Sequence, residues 1–264
     1  VLSHPRKQQQ RQTHMARGLS GVIYGLAGMG KTSIGLRFPG PVFCKSIFES
    51  GFDTLSKVPD NTDNENIKSF QQLVQSTKAV NKGTLLIDSC TGLQRIIFDH
   101  ATVMDYKGNP QAFFDYSKGP RQEAVRYLQA YLDLCDNLCE KGINVIFLAH
   151  QVTISLPNAM GPDHLSHEIA MDGGDKGGMR NTLVAWASFI FFLNKQITIT
   201  QVTEKLQGSV TEGKSSGDTG RYIYTDLSNS HSAKNRWDMA SCIPMGRNAD
   251  EAAANLFKQI PERF

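Results

Sequence analysis

The chain has 264 residues, 40% of them apolar and 20% charged, with a formal net charge of +3. That length can bury a sizeable core, and one large α/β domain with small appendages is the simplest division. No apolar stretch approaches the roughly 18 to 20 residues of a membrane span and no signal peptide is visible, so no membrane partner and a reducing, cytoplasmic location are expected. The five cysteines (Cys44, Cys90, Cys135, Cys139 and Cys242) are odd in number, scattered and without a C-x-x-C pair. Neither a disulfide framework nor a zinc site is predicted.

Charge is uneven along the chain. Arg6, Lys7, Arg11 and Arg17 place +4 in the first 17 residues, which leaves −1 for the rest. Overall charge is therefore no argument for nucleic-acid binding. The Gln-rich start lacks apolar periodicity, and residues 1–17 are read as a flexible basic arm.

Residues 25–32 read Gly-Leu-Ala-Gly-Met-Gly-Lys-Thr, a complete G-x-x-x-x-G-K-[ST] phosphate loop between an apolar run (Val22, Ile23, Tyr24) and a helix-compatible one from Ser33 to Phe38. Gly25, Gly28 and Gly30 permit positive φ and close backbone approach to phosphate oxygens. Lys31 reaches the β- and γ-phosphates, and the Thr32 hydroxyl is placed for Mg²⁺. The predicted nucleotide cradle is Gly25, Leu26, Ala27, Gly28, Met29, Gly30, Lys31, Thr32 and Ser33, closed by the positive end of the following helix.

Val42–Ile47 is a strand candidate, followed by polar residues 57–66 and a helix carrying Ile67, Phe70, Leu73, Val74 and Val80. Thr84-Leu85-Leu86-Ile87-Asp88 is a continuous apolar run ending in an acid, which suits a central parallel strand. Downstream of a phosphate loop, Asp88 is the natural metal-side carboxylate. Helices are predicted near 91–105 and from Pro120 to Lys141, the second with Val125, Leu128, Leu132, Cys135 and Cys139 on one face. A buried strand runs from Ile143 to Ala149 and ends in His150 and Gln151. Alternating strands and helices place the ligand site at the C-terminal edge of a parallel sheet, where Gly25, Asp88 and Gln151 fall.

Residues 152–182 contain Pro157, Gly161, Pro162, Gly173, Gly174, Gly177 and Gly178, and read as a long functional loop. Trp186–Leu193 returns to strand. Ile197–Val202 and Tyr222–Thr225 alternate on either side of a Gly/Ser loop at 213–220, predicting antiparallel strands at the sheet's far edge, and Asp250–Ile260 predicts a closing helix. The division is an arm at 1–17, a P-loop domain at 18–247 and a helical tail at 248–264.

The ordered set Gly25-x4-Gly30-Lys31-Thr32, Phe48-Glu49-Ser50-Gly51, Leu86-Ile87-Asp88-Ser89, Phe147-Leu148-Ala149-His150-Gln151 and Ala233-Lys234-Asn235-Arg236-Trp237 resembles phage-encoded P-loop nucleotide-binding proteins with a RecA-like core. Some of these are single-strand annealing or recombination ATPases. The resemblance covers about residues 19–245 and implies an α/β fold with a mostly parallel sheet, ATP and Mg²⁺ as ligands, and a filament or ring of like subunits in the host cytoplasm. It implies single-stranded DNA as partner, with a single-strand-binding protein as a second candidate.

Residue by residue, the resemblance implies that Glu49 polarises the attacking water, with Asp53 the alternative base. Gln151 would sense the γ-phosphate, a role that His150 could share or replace. In Gly173–Arg180, Lys176 and Arg180 would meet DNA phosphates, although Asp172 and Asp175 offset their charge and no aromatic residue interleaves for base stacking. Lys234 and Arg236 would reach into a neighbouring subunit's site; a local salt bridge is the alternative. An AAA-type ATPase acting on protein partners, in the manner of a helicase loader, and a slowly hydrolysing scaffold remain alternative functions. No N-K-x-D element specifies guanine.

Overall fold

The computed structural model describes residues 17–157, 161–173, 177–196, 198–203, 212–216 and 220–261. Residues 1–16 of the arm expected at 1–17, and Lys176, lie outside the described residues. The elements are β1 (Ser20–Gly25), α1 (Lys31–Gly35), β2 (Val42–Ile47), β3 (Thr62–Ile67), α2 (Phe70–Lys78), β4 (Thr84–Asp88), α3 (Cys90–Tyr106) and α4 (Pro110–Phe114). Then come α5 (Ala124–Glu140), β5 (Asn144–Leu156), β6 (His164–Ile169), α6 (Met179–Trp186), β7 (Phe189–Lys195), β8 (Thr198–Thr203), β9 (Glu212–Ser216), β10 (Arg221–Tyr224), β11 (Cys242–Pro244) and α7 (Ala249–Phe257).

The main sheet runs β3-β2-β4-β5-β1-β7-β10-β11. Its strands are parallel from β3 to β7, and β10 and β11 add antiparallel pairs at the far edge. This is the expected mixed α/β, P-loop fold with a mostly parallel sheet. β1 is buried along its whole length because it lies between β5 and β7 with helices on both faces. On one face Val22, Tyr24, Ile87 and Phe147 pack with α2, α3, α5 and α6. On the other, Ile23, Leu86, Leu148 and Phe191 meet Ile34 of α1 and Leu256 of α7. Cys135 and Cys139 are free thiols in the first of these cores, as their helical spacing predicts.

Capping explains several helix starts. Ser69 accepts from the Gln72 N–H before α2, Asn109 from the Ala112 N–H before α4, and Asn248 from the Glu251 N–H before α7. α7 is held against the body by Phe257, whose ring meets Phe38 edge-on at 5.1 Å.

Four sequence expectations change. The polar stretch at 57–66 opens into the edge strand β3, which is polar because its outer side faces solvent and which ends in Ile67, a residue expected in the helix that begins only at Phe70. Pairing with β2 holds it, through Lys45 to Glu65 at 2.9 Å and Ser46 to Asn64 at 2.7 Å. β5 does not stop at Gln151 but continues to Leu156 and pairs antiparallel with β6, so residues 152–182 are a hairpin arm followed by α6 rather than one long loop. Trp186 ends α6 instead of opening β7. β8 and β9 form a separate two-stranded ribbon, which takes residues 198–203 out of the sheet edge and part of 213–220 out of the expected loop. Local alternation identifies a strand, but partners assign it to a sheet.

The start of α3 lies hard against the end of β2. A Cβ on Gly92 would stand 2.0 Å from the Ile47 carbonyl oxygen. Gly92→Ala is expected to destabilise the protein by about 1–3 kcal/mol or more, as overpacking against backbone does, measured by denaturant unfolding.

Candidate functional site

The register of the sheet brings separate sequence segments to one edge. Gly25 is opposite His150 and Leu193, while Asp88 is opposite Ser46 and Leu148. Beyond β1 the chain turns through Gly28 and Gly30 at φ of +76° and +94°, where a side chain would be strained. Space for a Cβ at Gly28 is open, so the requirement there is conformational rather than steric. α1 begins immediately after Gly30, and the Ile34 N–H closes its first turn on the Gly30 carbonyl at 3.0 Å.

Lys31 is buried, and its ammonium folds back across the loop to donate to the carbonyls of Gly25 at 3.0 Å and Leu26 at 2.9 Å. Burial pushes its pKa down, opposed by the carboxylates of Asp88 and Glu49. Phosphate oxygens are stronger acceptors than these carbonyls, because both partners are then charged. A triphosphate in the loop would therefore draw the ammonium outward.

The Thr32 hydroxyl donates to Asp88 Oδ2 at 2.9 Å. Asp88 is buried at the end of β4, and that burial raises its carboxyl pKa, opposed by the Thr32 hydrogen bond and reinforced by Glu49. The chain at Gly51 closes over this pair. A Cβ there would lie 3.3 Å from Thr32 Oγ1 and 3.7 Å from Asp88 Oδ2. Hydroxyl and carboxylate oxygens are the hard donors that Mg²⁺ prefers, and a cation would offset the repulsion between Asp88 and Glu49. Thr32 and Asp88 thus fit the ion, the first as ligand and the second through its carboxylate or a bridging water. When bound, Mg²⁺ supplies neutralising charge to the β- and γ-phosphate oxygens. Among the described residues no group of three or more His, Cys, Asp or Glu side chains could hold a metal.

Glu49 joins this site. Its Oε1 accepts from the Ser89 hydroxyl at 2.7 Å and meets His150 Nε2 at 3.1 Å. Asp53, the alternative base, is exposed. Ser89 is the residue that sequence reasoning left without a role; its place directly after the strand-end acid was the available signal.

His150 and Gln151 divide between the two sides of β5, as successive strand residues must. His150 faces Glu49, whereas the Gln151 amide lies 3.3 Å from His167 Nδ1 and its Oε1 is buried without a hydrogen-bond partner. The structure therefore brings together Lys31, Thr32, Glu49, Asp88 and His150, with Gln151 turned to the opposite face.

Lys234 and Arg236 lie toward the other end of the strands. Lys234 donates to the carbonyls of Val184 at 3.1 Å and Ala187 at 2.6 Å, closing the C-terminal end of α6. Arg236 is exposed and lines a cleft with Arg17, Ser20, Ser188 and Trp237, where β1 and β7 begin. Neither side chain reaches this chain's own phosphate loop. Arg180 lies in the first turn of α6; its N–H donates to the Asp172 carbonyl and its side chain packs against Gly173.

Residues 17–237 match the profile of a family described as an AAA domain. No curated protein matches the chain. Among solved structures, it is similar to a KaiC-like protein from the hyperthermophilic archaeon Pyrococcus horikoshii. The identity is 15% over 86% of this chain and 85% of that one, with a TM-score of 0.37.

Asp88→Asn tests the metal assignment. ATP affinity in EDTA is expected to hold or rise, because a negative charge beside the phosphates is removed. The gain on adding Mg²⁺ should fall by about 10- to 100-fold, read by calorimetric titration with and without the ion.

Proposed function

Because the chain belongs to the AAA-domain family, matched over residues 17–237, we propose that it binds and hydrolyses ATP with Mg²⁺, and that turnover is coupled to single-stranded DNA in phage-type recombination or strand annealing. The observation that carries the reading is the line Ser89–Glu49–His150, in which a candidate water-activating carboxylate is hydrogen-bonded to a residue of β5, the strand that continues into the β5–β6 arm.

In this mechanism Lys31 and the loop N–H groups hold the triphosphate, while Thr32 and Asp88 serve the metal side. Glu49 orients a water in line with the γ-phosphate and accepts its proton. The Ser89 hydroxyl and His150 fix the carboxylate's rotamer. Phosphate release changes the charge that Glu49 faces, and His150 transmits the change to β5. The arm after Gln151, with Arg180 at its return, is the candidate DNA-contacting region.

The reading includes a filament or ring of like subunits in the cytoplasm. A cation of one subunit completes the next subunit's site, and Arg236, exposed at the opposite end of the strands, is the side chain available for it. Lys234, tied to the end of α6, would support the segment that presents it.

Glu49→Gln is expected to keep ATP affinity while lowering turnover by about 100- to 10,000-fold, the range for a lost general base. ATP turnover should rise on titration with single-stranded but not duplex DNA, and the rise should shrink with added salt. Flat turnover across that titration rejects the DNA reading and leaves the ATPase in place. Arg236→Ala should lower turnover at concentrations that permit assembly while leaving the dilute subunit unchanged; equal rates at both concentrations remove the intersubunit role.

A further inference from the structure

A cavity of about 560 Å³ opens beside the candidate catalytic carboxylate, between the end of β2, helix α3 and the segment through α4. Glu49 lines it, and so do Phe48, Arg95, Phe98 and Phe114. This volume is within the range of small-ligand sites, and the walls are mainly apolar with a few polar groups, as such sites are built.

The aromatic groups are unusually presented. Phe48 has φ of +57°, in the left-handed region, and is 50% exposed; the Arg95 guanidinium carbon stands 4.3 Å from its ring centroid. Phe114 is 55% exposed and meets Phe98 edge-on at 5.9 Å between centroids. On α3, Thr91, Asp99 and Thr102 add hydrogen-bonding edges to the same wall. The exposed Lys107 adjoins the lining residue Gly108. The Gly-rich return of the hairpin arm is moored nearby: Gln94, also in the lining, accepts from the Asp172 N–H, and the Thr91 hydroxyl donates to the Ala170 carbonyl.

We propose that this cavity takes an unpaired base of single-stranded DNA, stacked on the open faces of Phe48 and Phe114, and that its occupancy sets the position of Glu49. The inference rests on the DNA-coupled reading above. A base has two apolar faces and a polar edge, which matches ring faces, a guanidinium and the polar groups of α3. A protein's aliphatic side chain would leave those polar groups unused. The aromatic surface that Gly173–Arg180 lacks is present here, beside the point where that segment is moored. Phe48 directly precedes Glu49, so a base held against its ring constrains the backbone that aims the carboxylate.

The test uses the full chain and an oligothymidylate with one central 2-aminopurine, whose fluorescence falls on stacking. Phe114→Ala, at an exposed position, should weaken binding about 5- to 100-fold, the loss expected for one base–aromatic stack. It should also abolish the quench and the DNA-stimulated increment in turnover, with DNA-free turnover unchanged and Phe114→Tyr restoring all three. Arg95→Gln should weaken binding in the same direction. If the wild type binds the oligonucleotide and is stimulated by it while both variants match it, the cavity inference is wrong and the DNA-coupled function stands. Absence of oligonucleotide binding by the wild type overturns both. Stimulation by an apolar peptide instead, lost in Phe114→Ala, assigns the cavity to a protein partner and overturns the proposal.

Discussion

The hydrogen bond from Thr32 to Asp88 joins the two halves of the site across a strand that belongs to neither. β1, which delivers the phosphate loop, and β4, which delivers the acid, are separated in the sheet by β5. Their side chains meet because β1 and β4 end within two residues of each other along β5, opposite His150 and Leu148, and because the first turn of α1 leans back over the sheet edge. Gly51 closes over the pair so closely that a Cβ there would stand 3.3 Å from the Thr32 hydroxyl oxygen, and Glu49 lies two residues before that closure. Parallel strands with common ends thus do what no single segment could: they converge a cation, a hydroxyl and two carboxylates on one point.

That convergence is electrostatically expensive without a ligand. Lys31, Asp88 and Glu49 are neighbours in a partly desolvated edge, where burial opposes the charge on the lysine and on Asp88. The lysine satisfies itself on loop carbonyls, Asp88 on a hydroxyl, and Glu49 on Ser89 and His150. The contacts of Lys31 and Asp88 are ones that a magnesium–triphosphate could exchange for stronger, charged partners, while those of Glu49 keep its carboxylate in place. A site of this kind is prepared for its ligand by the free energy that its own groups forgo in water.

The alternation of β5 decides which residues share the site. One residue of register separates His150, which touches Glu49, from Gln151, which lies on the other side of the sheet near His167. Because β5 runs on through both and into the hairpin with β6, the strand is a continuous connection between the candidate chemistry and the arm. The same geometry sends Arg236 to the far end of the strands, so that any contact it makes with a nucleotide site is with another subunit's.

Much of this was legible in order along the chain. The glycines and Lys31-Thr32 are local in sequence, the acid at the end of the Thr84–Asp88 run is one step from a buried apolar pattern, and Gly142 and the cysteine stripe mark the end and the buried face of a helix by rules that need no partner, although the helix expected from Pro120 becomes α-helical only at Ala124, after a π-helical turn over Gly119–Glu123. Those features determined the fold class, the phosphate loop and the strand-end carboxylate. β3 was hidden because a polar edge strand has no apolar period, and the β5–β6 arm because prolines and glycines in 152–182 resemble a loop until a partner strand is present. Only the tertiary structure decided that Ser89 and His150 hold Glu49, that Gln151 turns away, that Lys234 serves the end of α6, and that Phe48 opens onto a cavity with Arg95 and Phe114. Those relations depend on strand order, register and the side of the sheet from which a residue projects, and these are set by long-range pairing rather than by any property of the segment itself.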